Sequence, residues 1–198
     1  MGIKLDPKSL VKQGTANGVK LGDLAKRVQR WTVGLGWDPG TTRKVDCDLW
    51  MVALREGDAV ELVRYDENDA KATVVSHSGA LTYCGDDRTG GSSAGGDDET
   101  GLIDLDLLVK LGADKVLIIA NIYEPADLTF EQVQNAYVRI FPGDDDSKAV
   151  AIQLTEMGVG VRTVIFGWLE RAGDDWKFVN QPSSAPGIEA ALAPFGVS

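Results

Sequence analysis

Short apolar runs separated by Gly-, Asp- and Pro-rich turns recur along most of the chain. The run Lys115–Tyr123 is rich in Val and Ile and is too short for a buried helix, so it predicts a central strand. Many short strands at this spacing are typical of a β-sandwich. We therefore predict an all-β fold, a sandwich of two mainly antiparallel sheets with one or two short helices. The predicted strands are Trp31–Trp37, Cys47–Leu54, Ala59–Tyr65, Ala72–Ser76, Lys115–Tyr123, Tyr137–Phe141, Ala149–Leu154, Arg162–Glu170 and Trp176–Val179.

One short amphipathic helix is predicted near residue 130. Thr129 stands at an N-cap position, and Gln132 follows three residues later, as in a capping box. The side chains at helical spacing are Phe130, Val133, Gln134 and Tyr137. A further helical turn is expected at Asp23–Arg27.

We predict a single domain over residues 1–180 and a C-terminal tail over residues 181–198. The tail begins with the Pro- and Ser-rich stretch Gln181–Pro186, which has the composition of a linker. Its end, Ile188–Leu192, is expected either to form one docked helical turn or to stay mobile.

The charge balance restricts the classes of partner. Of the 198 residues, 30 are Asp or Glu and 20 are Lys or Arg, which gives a formal net charge of −10 at pH 7. Such a surface repels phosphate backbones and anionic headgroups, so we expect no nucleic-acid partner and regard cations as the natural ligands. No apolar run approaches the ~20 residues of a spanning helix, and the N-terminus lacks a secretory apolar region. We therefore expect a cytoplasmic protein without direct membrane insertion.

The most unusual segment is the acidic, glycine-rich loop Gly85–Glu99. Glycines let the backbone turn sharply and leave its carbonyl groups free. A calcium ion takes ~6–8 oxygen ligands from carboxylates, carbonyls and water, and it would offset the repulsion between converging carboxylates. Taken alone, such a loop is more typical of a solvated, mobile surface, although its composition also suits a calcium site. Its carboxylates are Asp86, Asp87, Asp97, Asp98 and Glu99.

A second acidic pair shifts the interpretation toward a calcium site. Asp46 and Asp48 stand at the start of a predicted strand, where residues i and i+2 share a face. Two carboxylates that point into a sandwich core are costly in free energy unless they are ion-paired with cations or bound to a metal. Asp38 adds a carboxylate at the end of another strand. The spacing does not match the EF-hand loop, so a calcium site of another kind is indicated.

Other polar residues have plainer interpretations. His77 has no partner at zinc-ligand spacing and is expected on the surface or in a turn. Cys47 alternates with the two aspartates and is expected in the core. Cys84 lies beside the acidic loop, where it would suit a soft metal but not calcium. Two rivals to a calcium module stay open: a metal-assisted hydrolase that uses the same carboxylates, and a metal-free protein whose acidic loop binds a basic partner.

Several motifs occur in the order and spacing of the TerD family of tellurite-resistance and stress-response proteins, which this sequence resembles over roughly residues 28–180. The motifs are Val33-Gly34-Leu35-Gly36-Trp37-Asp38, Val45-Asp46-Cys47-Asp48, Gly85-Asp86-Asp87-Arg88-Thr89-Gly90, Gly96-Asp97-Asp98-Glu99, Val133-Gln134-Asn135-Ala136-Tyr137-Val138-Arg139-Ile140, Phe166-Gly167-Trp168-Leu169 and Trp176-Lys177-Phe178. The resemblance implies a calcium-binding β-sandwich that acts as a binding module and not as an enzyme. It also implies partners among related stress-response proteins, in a complex at the inner face of the membrane.

The resemblance assigns metal ligation position by position. Asp87 replaces an Asn of the family signature. Between the two acidic halves this chain has Gly91–Gly96 without the family's Glu, and Leu49 and Trp50 replace small residues after the aspartate pair. These departures leave the number of calcium ions open. The implied ligand set is Asp46, Asp48, Asp86, Asp87, Thr89, Gly90, Asp97, Asp98 and Glu99.

Overall fold

The computed structural model describes residues 19–24, 28–38, 44–91, 96–154 and 159–197. Within these ranges the chain is built mainly from strands, with three short α-helices. The strands are β1 (Val19–Lys20), β2 (Arg30–Gly36), β3 (Asp46–Arg55), β4 (Asp58–Val63), β5 (Val74–Val75), β6 (Leu81–Tyr83), β7 (Glu99–Asp104), β8 (Lys115–Glu124), β9 (Tyr137–Pro142), β10 (Val150–Gln153), β11 (Thr163–Ala172), β12 (Asp175–Val179) and β13 (Ser183–Ala185). The helices are α1 (Leu21–Leu24), α2 (Leu105–Leu111) and α3 (Ile188–Leu192).

The strands form two antiparallel sheets. The first sheet has the order β1-β12-β11-β8-β3-β4, with β13 paired to β11 as its seventh strand. The second sheet has the order β10-β9-β2-β7-β6-β5. This arrangement confirms the predicted all-β sandwich. Among the described residues no helix is long and apolar enough to cross a membrane.

The core lies between the two sheets, and strand β3 shows how the sequence creates it. Alternate residues Cys47, Leu49 and Met51 are fully buried in the main core cluster. Trp50 and Val52 lie on the other side of the strand, in a second apolar cluster. Because side chains alternate across a strand, Asp46 and Asp48 belong to that second face, at the end of the strand.

The second apolar cluster is covered by the C-terminal segment. Helix α3 and the residues after it pack on this outer face of the first sheet, where Leu192 is buried against Val52 and Leu117. Of the two alternatives expected for Ile188–Leu192, the docked helical turn is therefore the one that forms. In place of the linker expected at Gln181–Pro186, residues Ser183–Ala185 form β13. The predicted division at residue 180 stays a prediction.

The prediction of an amphipathic helix after Thr129 is wrong. Only a 3-10 turn forms, at Phe130–Gln132, although the predicted capping box is present. Tyr137 begins β9 instead, because β9 pairs with β2 on one side and β10 on the other. The ladder bonds of two neighbouring strands outweigh a local helical pattern.

The other differences concern short elements. Helix α2 was not predicted; Asp104 caps its start by accepting a hydrogen bond from Leu107 N, and Gly112 ends it in the left-handed region. Strands β6 and β7 were also missed. The strand predicted at Ala72–Ser76 is reduced to β5. A helical turn was expected at Asp23–Arg27. The structure has α1 at Leu21–Leu24, and residues 25–27 lie outside the described residues.

Candidate metal centre

Three carboxylates from two distant parts of the chain meet at one end of the sandwich. Asp46 and Asp48 come from the first residues of β3, and Asp86 comes from the loop after β6. One carboxylate oxygen of each lies within 4.8 Å of the others. The loop is held in place by the backbone, because Asp86 N donates a 2.7 Å hydrogen bond to Ala70 O. We call these three residues the carboxylate cluster.

The cluster contains buried oxygens that lack a partner. Asp48 is only 2% exposed, and its Oδ2 has no hydrogen-bond partner in the described part of the chain. The same holds for Oδ1 of Asp46 and Oδ1 of Asp86. A buried carboxylate oxygen without a donor costs free energy, and a bound cation removes that cost. The donor set consists of oxygens alone, which suits a hard divalent cation.

Burial and mutual repulsion hold the ion-free cluster partly protonated. The pKa of Asp48 is raised to about 8, chiefly by burial and then by the charges of Asp46 and Asp86. The pKa of Asp46 is raised to about 6, again first by burial and then by the charge of Asp86, while the positive charge of Arg88 acts in the opposite direction. The site thus disfavours three negative charges in the absence of a cation.

Arg88 provides part of the missing positive charge. Its Nε donates to Asp86 Oδ2 at 2.9 Å. The Asp86 side chain is 3% exposed and the Arg88 side chain is 56% exposed. A buried carboxylate is therefore paired with a guanidinium that is largely in contact with solvent.

The cluster forms part of the lining of a cleft of about 570 Å³. Aromatic and apolar walls come from Tyr65, Tyr123 and Pro125, and the two tyrosine rings meet edge to face with centroids 5.7 Å apart. The charged side chains that line the cleft outside the cluster are Lys44, Glu67, Arg88 and Glu124. The cleft is much larger than a single ion, so its space leaves room for water or a ligand beside the cluster.

The structure does not bring Asp97 to the cluster. Its carboxylate accepts hydrogen bonds from Arg139 Nε at 2.7 Å and from Arg139 Nη2 at 3.0 Å. The hydroxyl of Tyr137 donates to the same carboxylate at 3.1 Å. Asp97 therefore ties the end of the acidic loop to strand β9.

The remaining predicted ligands support the loop and its surroundings. Asp98 Oδ2 accepts from Trp37 N at 2.8 Å. Asp87 Oδ1 accepts from the backbone N–H groups of Thr89 and Gly90, and from the Thr89 hydroxyl. Gly90 has φ 67° and lies against the Trp37 indole, where a side chain would overlap the ring. The assignment of these residues as metal ligands stays a prediction.

Glu99 lies behind the cluster, inside the sandwich. It is 1% exposed, and its Oε2 accepts from Leu49 N at 2.6 Å. Its pKa is raised well above the ordinary value, first by burial and then by the charge of Asp48. Glu99 is thus electrostatically coupled to the cluster, although it is not among the three carboxylates that converge.

Sequence reasoning missed the aromatic wall and the partner of Asp97. Tyr123 is 51% exposed at the end of β8, directly before Glu124. Glu124 is the register partner of Asp46, so strand pairing brings it beside the cluster. An exposed aromatic residue at the end of an apolar strand was the available signal. Arg139, a cation inside the apolar run of β9, was the available signal for the ion pair.

Four other polar residues singled out in the sequence lie outside the carboxylate cluster of the described residues. His77 is exposed in a turn, as predicted. Cys47 is fully buried in the core, as predicted. Cys84 is exposed and free. Asp38 lies outside the cluster and accepts a hydrogen bond from the Asn135 amide.

Comparison with known proteins identifies the family. The TerD domain matches residues 10–193. The chain belongs to the TerD domain family. It is 31% identical to the tellurium resistance protein TerD of Serratia marcescens, over 96% of this chain and 97% of that protein. It is also 27% identical to general stress protein 16U of Bacillus subtilis, over 90% of this chain and 93% of that protein.

Solved structures agree with the fold of this TerD-family chain. A crystal structure of a homologue of the telluride resistance protein from Streptomyces coelicolor superimposes with a TM-score of 0.68. The match covers 84% of this chain and 95% of that one, at 19% identity. A second crystal structure, of a protein of unknown function, has the same TM-score. At this identity the likeness concerns the fold alone.

Proposed function

We propose that this TerD-family protein is a calcium-binding module of the stress response, with the ion held by Asp46, Asp48 and Asp86. The observation that carries the proposal is Oδ2 of Asp48, which is buried in a cluster of three carboxylates and has no hydrogen-bond partner within the described parts of the chain. A carboxylate is buried at such a site only at a high cost in free energy, and a divalent cation offsets that cost.

The donor chemistry favours calcium among common cations. Thiolate and imidazole, the preferred ligands of zinc and copper, do not take part in the cluster of the described residues. Calcium accepts ~6–8 oxygens in a flexible geometry, so three carboxylates and water from the open cleft can satisfy it. Magnesium requires near-ideal octahedral geometry and retains its water more strongly. We therefore expect calcium to bind more tightly than magnesium.

The bound ion would supply charge compensation. The role that follows is structural: the ion ties the loop that contains Asp86 to the start of β3 and fixes the shape of the cleft. The relatives' names, tellurium resistance and general stress, support a role in stress response. We extend this to cytoplasmic action with related stress-response proteins in a membrane-associated complex, a part of the proposal that rests on the family resemblance.

Thermal melting in the presence and absence of calcium tests the proposal. Protein freed of metal by chelation is melted with increasing calcium and, in parallel, magnesium. Ligand that binds only the native state adds RT ln(1 + [L]/Kd), about 2.7 kcal/mol at a hundredfold excess over Kd. We expect Tm to rise by several degrees with micromolar calcium and to change little with magnesium. An unchanged Tm up to millimolar calcium would contradict calcium binding and favour a metal-free interaction protein.

The matched control is Asp106→Asn. Asp106 is an exposed aspartate in the first turn of α2, outside the carboxylate cluster. We expect this variant to retain the full calcium response, whereas Asp86→Asn loses it. Equal responses of the two variants would place the ion elsewhere.

The size of the cleft favours metal-assisted hydrolysis as a second candidate function. A hydrolytic metal needs an open coordination position beside a substrate cleft. The cleft of about 570 Å³ beside the cluster meets the second requirement. A hydrolase should prefer magnesium or manganese and turn over phosphate or carboxylate esters. Hydrolysis of nitrophenyl esters with manganese that is lost in Asp48→Asn would support this candidate over the calcium module.

A further inference from the structure

Arg88 lies at the mouth of the carboxylate cluster. Its Nε donates to Asp86 Oδ2 at 2.9 Å, while Asp86 Oδ1 is buried and has no hydrogen-bond partner among the described residues. The two members of this ion pair differ in burial, since the guanidinium is more than half exposed and the carboxylate is almost fully enclosed. The arginine can therefore leave the pair for solvent without unpacking other side chains, whereas the carboxylate remains in place.

The pair is local, so it does not connect distant parts of the chain. Arg88 and Asp86 are two residues apart, and the turn between them is fixed by Asp87, which accepts from the backbone of Thr89 and Gly90. Solvent screens the exposed guanidinium, so the contact is held less firmly than a fully buried ion pair. Because the pair lies at the carboxylate cluster, the positive charge of Arg88 acts on the other two carboxylates as well as on Asp86.

We propose that Arg88 is an internal competitor of the metal ion, which occupies Asp86 in the ion-free protein and is displaced when a divalent cation binds. This inference rests on the proposed calcium function. Arg88 then sets the concentration at which calcium binds and excludes monovalent cations. A divalent ion gains about twice the Coulomb energy that a monovalent ion gains from the same carboxylates, so only the divalent ion offsets the lost guanidinium contact.

The experiment is a calorimetric calcium titration of four proteins at low and at physiological KCl. The proteins are the wild type, Arg88→Gln, Arg88→Lys and the control Arg171→Gln. Arg171 is exposed and lies on β11, next to Glu170. Glu170 pairs with Lys115, the first residue of β8, whereas Glu124 beside the cluster is the last residue of β8. The control removes the same charge far from the cluster.

We expect Arg88→Gln to bind calcium about three- to tenfold more tightly than the wild type, from the loss of one nearby positive charge. Arg88→Lys, which keeps the charge, and Arg171→Gln should stay close to the wild type. Potassium should weaken calcium binding more in Arg88→Gln than in the wild type. Equal or weaker calcium binding by Arg88→Gln would overturn the inference, since Arg88 would then only position Asp86.

Melting in chelator supplies a second measurement that does not depend on calcium. Loss of Arg88 leaves the cluster without its internal cation, so Arg88→Gln should have a lower Tm than the wild type and Arg171→Gln. An unchanged Tm in chelator would contradict the competitor role. Calcium binding by the wild type with no gain in Arg88→Gln defeats this inference alone. Absence of calcium binding in all four proteins defeats the proposed function and the inference together.

Discussion

The carboxylate of Asp97 lies where a side chain at Gly34 would stand. A Cβ added to Gly34 would overlap the Asp97 carboxylate, and a Cβ at Gly36 would overlap the Tyr137 ring. Both glycines belong to β2, which pairs with β7 and β9. The absence of a side chain at Gly34 makes the space in which Asp97 reaches Arg139, and its absence at Gly36 leaves room for the Tyr137 ring. The motif Gly34-Leu35-Gly36 is thus explained by packing.

Substitution Gly34→Ala is expected to destabilise the protein by about 2–4 kcal/mol, because the new methyl group displaces a buried ion pair. Urea unfolding measures the change. Gly187→Ala is the matched control, since a Cβ at that glycine has no neighbour within 4 Å and its backbone is extended. Equal stability of the two variants would show that Asp97 moves aside without cost.

Removal of the cation from the Asp97–Arg139 pair should be more damaging than removal of an exposed pair. The two side chains are 4% and 8% exposed, so Arg139→Met leaves a buried carboxylate without its cation and is expected to cost about 3–5 kcal/mol. Lys177→Met, which breaks the more exposed pair with Glu170, should cost less than about 1 kcal/mol.

The double variant Asp97→Asn/Arg139→Met separates charge from packing. Once the carboxylate is neutral, loss of Arg139 should cost much less, so the two effects should not add. Strict additivity in urea unfolding would contradict a direct ion pair.

The ion-free protein should lose stability as the pH rises from about 4 to about 8. An ordinary aspartate has a pKa near 3.8, whereas the folded protein raises the pKa of Asp46 to about 6 and that of Asp48 to about 8. Between about pH 4 and pH 8, Asp46 and Asp48 have lost their protons in the unfolded chain but retain them, in part, in the folded chain. Folding then takes up protons, and a rise in pH favours unfolding.

Urea unfolding in metal-free buffer at pH 5 and pH 8 measures this effect. Asp48→Asn isolates the contribution of one group, because the variant should lose the upper part of the pH dependence. Saturating calcium should also reduce the dependence, since the ion replaces the protons. A wild-type pH profile that Asp48→Asn leaves unchanged would contradict the raised pKa of Asp48.

The fold was accessible from the sequence because its signal is local. Strand β8 is a continuous Val/Ile run, and β3 alternates between two apolar faces, so both appear in the order of residues. The helical spacing from Phe130 to Tyr137 was misleading because the structure of this segment is decided by non-local contacts. Tyr137 joins β9 through partners in β2 and β10, which are distant in the sequence.

The candidate site was accessible only in part. The spacing of Asp46 and Asp48 placed them on one face, and the density of carboxylates indicated the loop of Asp86. The sequence could not show which carboxylate of that loop converges with Asp46 and Asp48. Asp97 is drawn to Arg139, 42 residues away, and this choice depends on strand pairing and on the space above Gly34.

Melting of Asp48→Asn tests most directly whether the buried Asp48 carboxylate holds a cation. In chelator the variant should be more stable than the wild type, because a neutral amide replaces a costly buried acid. With calcium the order should reverse, since the variant loses affinity by about tenfold or more together with a ligand. A variant that is less stable in chelator and binds calcium as tightly as the wild type would contradict the account.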